Sequence, residues 1–177
     1  EKFLSFATNP SEEIANRFKG KKVGKYQCDS IILPVDFEES ISTLSDTLEK
    51  GSYDLVLSLG LAYSREVISL ERVALNLIDD GVRKDNKGRI IEDEQILSEG
   101  SNAYFTNLPL KKIHFALKEA GLKSELSLSA GSYVCNLVMY RLLHFQMNFA
   151  PRMKAGFIHI PPDSSLKRES KWTLDQL

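Results

Sequence analysis

Apolar runs of strand length alternate along the chain with amphipathic runs of helix length. Ser11-Glu12-Glu13 opens a predicted helix to Phe18, with Ser11 as N-cap and the acidic pair complementing the positive end of the helix dipole. A short strand is predicted from Ser30 to Pro34, with Ile31, Ile32 and Leu33 at its heart. Between Phe37 and Lys50, Ile41, Leu44 and Leu48 stand at i, i+3 and i+7, the spacing of one helix face, and Gly51 ends it. Tyr53 to Leu59 is nearly continuous in apolar residues, as expected for the buried centre of a parallel sheet. From Glu71 to Leu77, Val73, Leu75 and Leu77 alternate with Arg72, Ala74 and Asn76, which predicts a strand with one wet face. The charged stretch Asp79 to Glu94 predicts an exposed loop or hairpin turning at Lys87-Gly88.

Pro109 begins a predicted helix to Ala120, with Ile113, Ala116 and Leu117 on one face and Gly121 as its stop. A strand over Glu125 to Ser129, a helix over Leu137 to Phe145 and a strand over Ala155 to Ile160, closed by Pro161-Pro162, complete the pattern. In the polar tail, Thr173-Leu174-Asp175 has the form of a helix start. The alternation predicts an α/β protein: a single α/β/α layered domain over residues 1–177 with a twisted, mostly parallel central sheet.

Composition narrows the classes. A chain of 177 residues with 42% hydrophobic and 27% charged residues buries a core of ordinary size. A net charge of −1 supplies no basic field, which argues against nucleic acid. Apolar runs such as Leu55 to Leu61 are far too short to span a bilayer, and no signal peptide is visible, so no membrane role is expected. Two cysteines, Cys28 and Cys135, make no disulfide framework and point to a reducing, cytoplasmic setting. No Cys or His pair has metal-ligand spacing, and no Gly-x-Gly-x-x-Gly follows a strand, so neither a metal site nor a dinucleotide site is expected.

One joint carries chemistry. Ser129-Ala130-Gly131-Ser132-Tyr133-Val134-Cys135-Asn136 places a thiol just past a Gly turn, between a strand and a helix. In the first turn of a helix, unpaired N–H groups and the positive dipole end stabilise negative charge on sulfur. His159 ends the Ala155 to Ile160 strand, and both groups, each following a strand end, are expected at the same rim of the sheet. A thiol with an imidazole in reach is the minimum for a nucleophilic pair, and a third group must orient the imidazole. Glu71, at the start of its predicted strand, is the best acidic candidate, ahead of Glu66 and Asp80. Each residue also has a plainer reading: Cys135 as a small buried hydrophobe, His159 as a satisfied core histidine, Glu71 as a strand-end charge. Cys28, His114 and His144 are read as structural.

Three segments join these residues. Ser129 to Asn136, Leu70-Glu71-Arg72-Val73-Ala74-Leu75-Asn76 and Gly156-Phe157-Ile158-His159-Ile160-Pro161 resemble, in order, segments of the pyroglutamyl peptidase I (pyrrolidone-carboxylate peptidase) family, with weaker similarity around Tyr104 to Pro109. The resemblance implies a cytosolic cysteine exopeptidase that removes N-terminal pyroglutamyl residues from peptides through a thioester, without metal or cofactor, as a homotetramer. It implies Cys135 as nucleophile, His159 as general base and then acid, and Glu71 as the group orienting His159. It places the lactam near Phe3, Phe6, Asn9, Leu61 and Tyr133. The chain departs from the family's pattern at Ala7-Thr8, which replace a Gly pair, and at Tyr133, where a Phe is usual. Gly60 to Arg65 and Asp80 to Asn86 also differ, and most of the family's C-terminal helix is absent after Pro162. Two alternatives follow from those departures: an amidase for another small acyl group, or a catalytically silent homologue that binds a peptide or a partner subunit.

Overall fold

A computed structural model of the chain describes residues 9–177. In chain order its elements are α1 (Pro10–Phe18), β1 (Lys22–Val23), β2 (Tyr26–Gln27), α2 (Glu39–Lys50), β3 (Leu55–Leu61), β4 (Ile68–Glu71), β5 (Val73–Leu75), β6 (Ile78–Asp80), β7 (Ile91–Glu94), β8 (Ala103–Phe105), α3 (Leu110–Glu119), β9 (Ser124–Ser127), α4 (Val134–Phe149) and β10 (Lys154–Ile160). The central sheet has the order β3-β10-β4-β9. β3 runs parallel to β10 and β4 parallel to β9, while β10 and β4 are antiparallel. The α/β class and its mostly parallel sheet follow the hydrophobic pattern.

Strand alternation divides the side chains between two layers. Ala155 and Phe157 face a core built with α2 and α4, where Leu44, Leu48, Met139, Leu142 and Leu143 are buried. Ile158, Leu70 and Ile68 face the other way, onto α3, Leu110 and the tail residue Trp172. The Trp172 indole N–H donates to the Glu66 carbonyl at 2.8 Å, fastening the tail to the loop after β3. α4 is apolar around most of its circumference because it is packed on several sides.

Several expectations change. Residues 30–34 form no strand; Leu33 and Val35 pack on the main core as irregular chain, and Ile31 is exposed. Among the described residues β3 has a sheet neighbour on one side only, and Leu55 and Leu57 on it are exposed, where a buried run was expected. The expected strand from Glu71 to Leu77 is two strands. Glu71 closes β4 instead of opening a strand, and β5 leaves the sheet to pair with β8. The N-cap of α1 is Asn9, whose Oδ1 accepts from the Ser11 N–H at 3.1 Å and the Ser11 hydroxyl at 2.8 Å. Residues 79–94 make the expected hairpin, β6 against β7, with Gly88 at φ +80°. Residues 173–175 form only a turn.

Candidate active site

The local chain path explains how the thiol is delivered. Gly131, at φ +81°, takes a left-handed conformation that would strain any side-chain-bearing residue. Helix α4 then starts at Val134, with Cys135 in its first turn and no side-chain cap on its N–H groups. Asn136, completely buried, clamps this end of the helix. Its amide donates to the Leu75 and Leu77 carbonyls, both at 2.9 Å, and accepts from the Leu75 N–H at 3.0 Å. Ser132 adds a bond from its hydroxyl to the Asp79 carbonyl at 2.5 Å.

β9 runs opposite to β10, so their carboxyl ends point to opposite edges, and the thiol does not reach His159 by sharing a rim. Cys135 instead comes to lie against β3. There a Cβ on Gly60 would stand 3.1 Å from the Cys135 sulfur and 2.7 Å from the Phe157 ring. Gly60 is paired with His159 across β3 and β10, so the missing side chain makes room for the thiol directly over the imidazole strand.

His159 and Glu71 share one face of the sheet. Glu71 opposes Phe157 in the antiparallel pair, and its carboxylate reaches the diagonal neighbour. His159 Nδ1 lies 2.7 Å from Glu71 Oε1, with both side chains buried. The Cys135 thiol lies on the same part of the sheet, against Gly60, and acts on the proton affinity of the ring. The Phe157 ring packs beside the imidazole, 4.9 Å between centroids. Burial pulls the proton affinity of His159 down, but the bonds and charges of Cys135 and Glu71 outweigh it and raise the pKa to about 9. The imidazole is therefore held as a cation at neutral pH.

Arg65, in the β3–β4 connection, is a further member that the sequence reading did not single out. Its Nη1 donates to the same Glu71 Oε1 at 2.5 Å and its Nη2 to the Ser129 carbonyl at 2.7 Å. An arginine six residues before Glu71 in an irregular segment has no periodic signal to betray it. The weaker acidic candidates lie elsewhere: Asp80 is engaged by the Arg83 guanidinium, and Glu66 is met through its backbone by Trp172.

Of the residues expected around the lactam, Phe3 and Phe6 lie outside the described residues. Asn9 is buried as the cap of α1, and Leu61 is buried at the end of β3 beside Ile160. The Tyr133 ring is buried edge-on to Phe37 (centroids 5.4 Å apart) and lies under the Arg83 guanidinium. Its hydroxyl donates to the Lys84 carbonyl at 2.8 Å. Burial, with the charge of Asp85, pushes that hydroxyl up to about 12, so it remains a donor. The hydroxyl that distinguishes Tyr133 from Phe thus ties α4 to the β6–β7 loop.

An α/β sheet carrying a thiol, an imidazole and a buried carboxylate in sequence defines the class of cysteine hydrolases. Comparison with known proteins narrows the class. The model of the pyroglutamyl peptidase family matches residues 1–170. The pyrrolidone-carboxylate peptidase of Pyrococcus furiosus is 42% identical over 161 residues, covering 91% of this chain and 77% of that protein. The solved structures of pyrrolidone carboxyl peptidase from Thermococcus litoralis and pyroglutamyl peptidase I from Bacillus amyloliquefaciens superpose with TM-scores of 0.95 and 0.93. They are 33% and 32% identical, each over 99% of this chain and 84% and 85% of theirs. The chain belongs to the pyroglutamyl peptidase family. Among its described residues no helix is long and apolar enough to cross a membrane.

Proposed function

We propose that the chain hydrolyses N-terminal pyroglutamyl residues from peptides, with Cys135 as nucleophile, His159 as general base and acid, and Glu71 orienting His159. The observation that carries the reading is the 2.7 Å bond between His159 Nδ1 and Glu71 Oε1, which leaves Nε2 as the ring nitrogen that can serve Cys135. The thiolate attacks the pyroglutamyl carbonyl carbon, and the carbonyl oxygen takes the negative charge. Uncapped N–H groups at the start of α4 stabilise that charge. Collapse of the intermediate breaks the C–N bond, and the imidazolium gives its proton to the departing amine. A water then gives a proton to the neutral imidazole and attacks the thioester, releasing pyroglutamate and the thiolate. Glu71 holds one tautomer throughout and balances the imidazolium.

Phe3, Phe6, Asn9, Leu61 and Tyr133 are assigned to the lactam slot, where a small ring calls for apolar walls and a few amide partners. The family resemblance supports a homotetramer that needs no cofactor, and two unpaired cysteines are in keeping with a cytoplasmic setting. Size-exclusion chromatography with light scattering reads the oligomeric state. The test of the function is hydrolysis of pyroglutamyl, prolyl and glutaminyl amides side by side. Turnover of the pyroglutamyl amide alone, lost in Cys135→Ala and in His159→Ala, is expected. Full activity in either variant sinks the assignment, and preference for another amide redirects it.

A further inference from the structure

The carboxylate that orients His159 is itself held by a cation. Glu71 is completely buried; its Oε2 has no partner, and its Oε1 is shared between His159 Nδ1 and Arg65 Nη1. A buried carboxylate needs compensating charge, and Arg65 supplies it from a position three-quarters buried. The other arm of the same guanidinium donates to the carbonyl of Ser129, the residue that begins the turn leading into α4. One rigid, planar group therefore spans the acid end of the cluster and the backbone that presents the thiol.

We propose that Arg65 is a positioning residue: it locks the Glu71 carboxylate and the Cys135-bearing turn into one unit, so that the alignment of thiol, imidazole and carboxylate depends on it. The inference rests on the assignment of Cys135, His159 and Glu71 as the catalytic groups. Arg65 touches none of the reacting atoms and acts through Glu71 and Ser129. Among the described residues the ionisable groups acting on the imidazole are Cys135 from α4, Glu71 from β4 and, behind Glu71, Arg65. Glu125 of β9 lies at the edge of this set, 4.0 Å from the Arg65 guanidinium and bonded to the Ser69 hydroxyl. The Arg65 charge disfavours a proton on His159, and its bond to Oε1 competes with that of the imidazole. Its removal therefore strengthens the hold of Glu71 on the imidazolium.

The test compares Arg65→Gln and Arg65→Lys with the parent enzyme on a pyroglutamyl amide across pH, each variant first checked for the parental circular dichroism spectrum. For Arg65→Gln the expected result is a fall in kcat of tenfold or more with KM changed less than threefold, and an alkaline limb of kcat/KM moved to higher pH. Arg65→Lys restores the charge but not the fork. It is expected to return the alkaline limb to its parental position while kcat recovers only in part. In Glu71→Gln the carboxylate is gone, so adding Arg65→Gln is expected to cost less than it does in the parent. A kcat within twofold of the parent in Arg65→Gln with an unmoved alkaline limb overturns the proposal, as does a loss of kcat that leaves the limb in place in both variants. If Arg65→Gln does not fold, the limb and kcat of Arg65→Lys decide alone, parental values in both overturning the proposal. Activity surviving in Cys135→Ala would remove the underlying assignment instead, so the two failures are separable.

Discussion

The sulfur of Cys135 packs tightly against Gly60: a Cβ there would stand 3.1 Å from it. The missing side chain at Gly60 therefore leaves room for the thiol next to the strand position paired with His159. Gly60→Ala is expected to push the Phe157 ring and the thiol aside, because the added carbon would lie 2.7 and 2.9 Å from two ring carbons. The overpacking should cost about 1–3 kcal/mol of stability. Activity should fall by more than tenfold in a protein that still folds, read by denaturant titration and amide hydrolysis together.

Glu71→Gln tests the orienting role. The amide keeps the shape but removes the charge that offsets both the imidazolium and the Arg65 guanidinium. A loss in kcat of about 10²–10⁴-fold is expected, on the pattern of triads in which the orienting carboxylate becomes an amide. Steady-state kinetics on a pyroglutamyl amide checks it, and a variant within threefold of the parent would contradict the role.

His159 makes stability depend on pH in a definite direction. Its pKa rises from the ordinary 6.5 to about 9 on folding, so the folded state holds the proton more tightly than the unfolded chain does. That contribution, ~3 kcal/mol by linkage, is fully present below pH 6.5 and is lost as pH rises through 9. Urea denaturation between pH 6 and 10 should show the parent losing stability relative to His159→Gln over this window. Because Cys135 is among the causes of the rise, the imidazole resonances of Cys135→Ala should titrate at lower pH than in the parent.

Tyr133→Phe removes the bond to the Lys84 carbonyl but leaves the buried ring against Phe37. A loss of about 1 kcal/mol is expected, with faster proteolysis of the β6–β7 loop, since that hydroxyl fastens the loop to α4. Unchanged stability and cleavage would show that the loop is held by its other contacts.

How much was legible in the chain depended on whether a signal was local. The period of Ile41, Leu44 and Leu48 is a property of one helix and marks α2, as the turn at Gly131 marks the helix start that carries Cys135. Apolar runs were read less well, because a run reports burial and not pairing. Ile31 to Leu33 proved irregular, and Leu55 to Leu61 lies at an edge among the described residues. The bond between His159 and Glu71 spans 88 residues and has no local signal, and the shared rim expected for Cys135 and His159 is not formed, since strand direction is set by long-range pairing between β4 and β10. Asn136 has no local signal because its partners Leu75 and Leu77 lie 61 and 59 residues away; Arg65 reaches Glu71 only six residues on, but from an irregular segment without a period, and its other partner, Ser129, is 64 residues away.

The most direct measurement of the central claim is mass spectrometry of enzyme acid-quenched during turnover of a pyroglutamyl amide, followed by peptide mapping. The account requires a pyroglutamyl thioester on the peptide that contains Cys135, none on Cys28, and none at all in Cys135→Ala, which should also be inactive. Steady turnover by Cys135→Ala, or an acyl group trapped on any other residue, would contradict it.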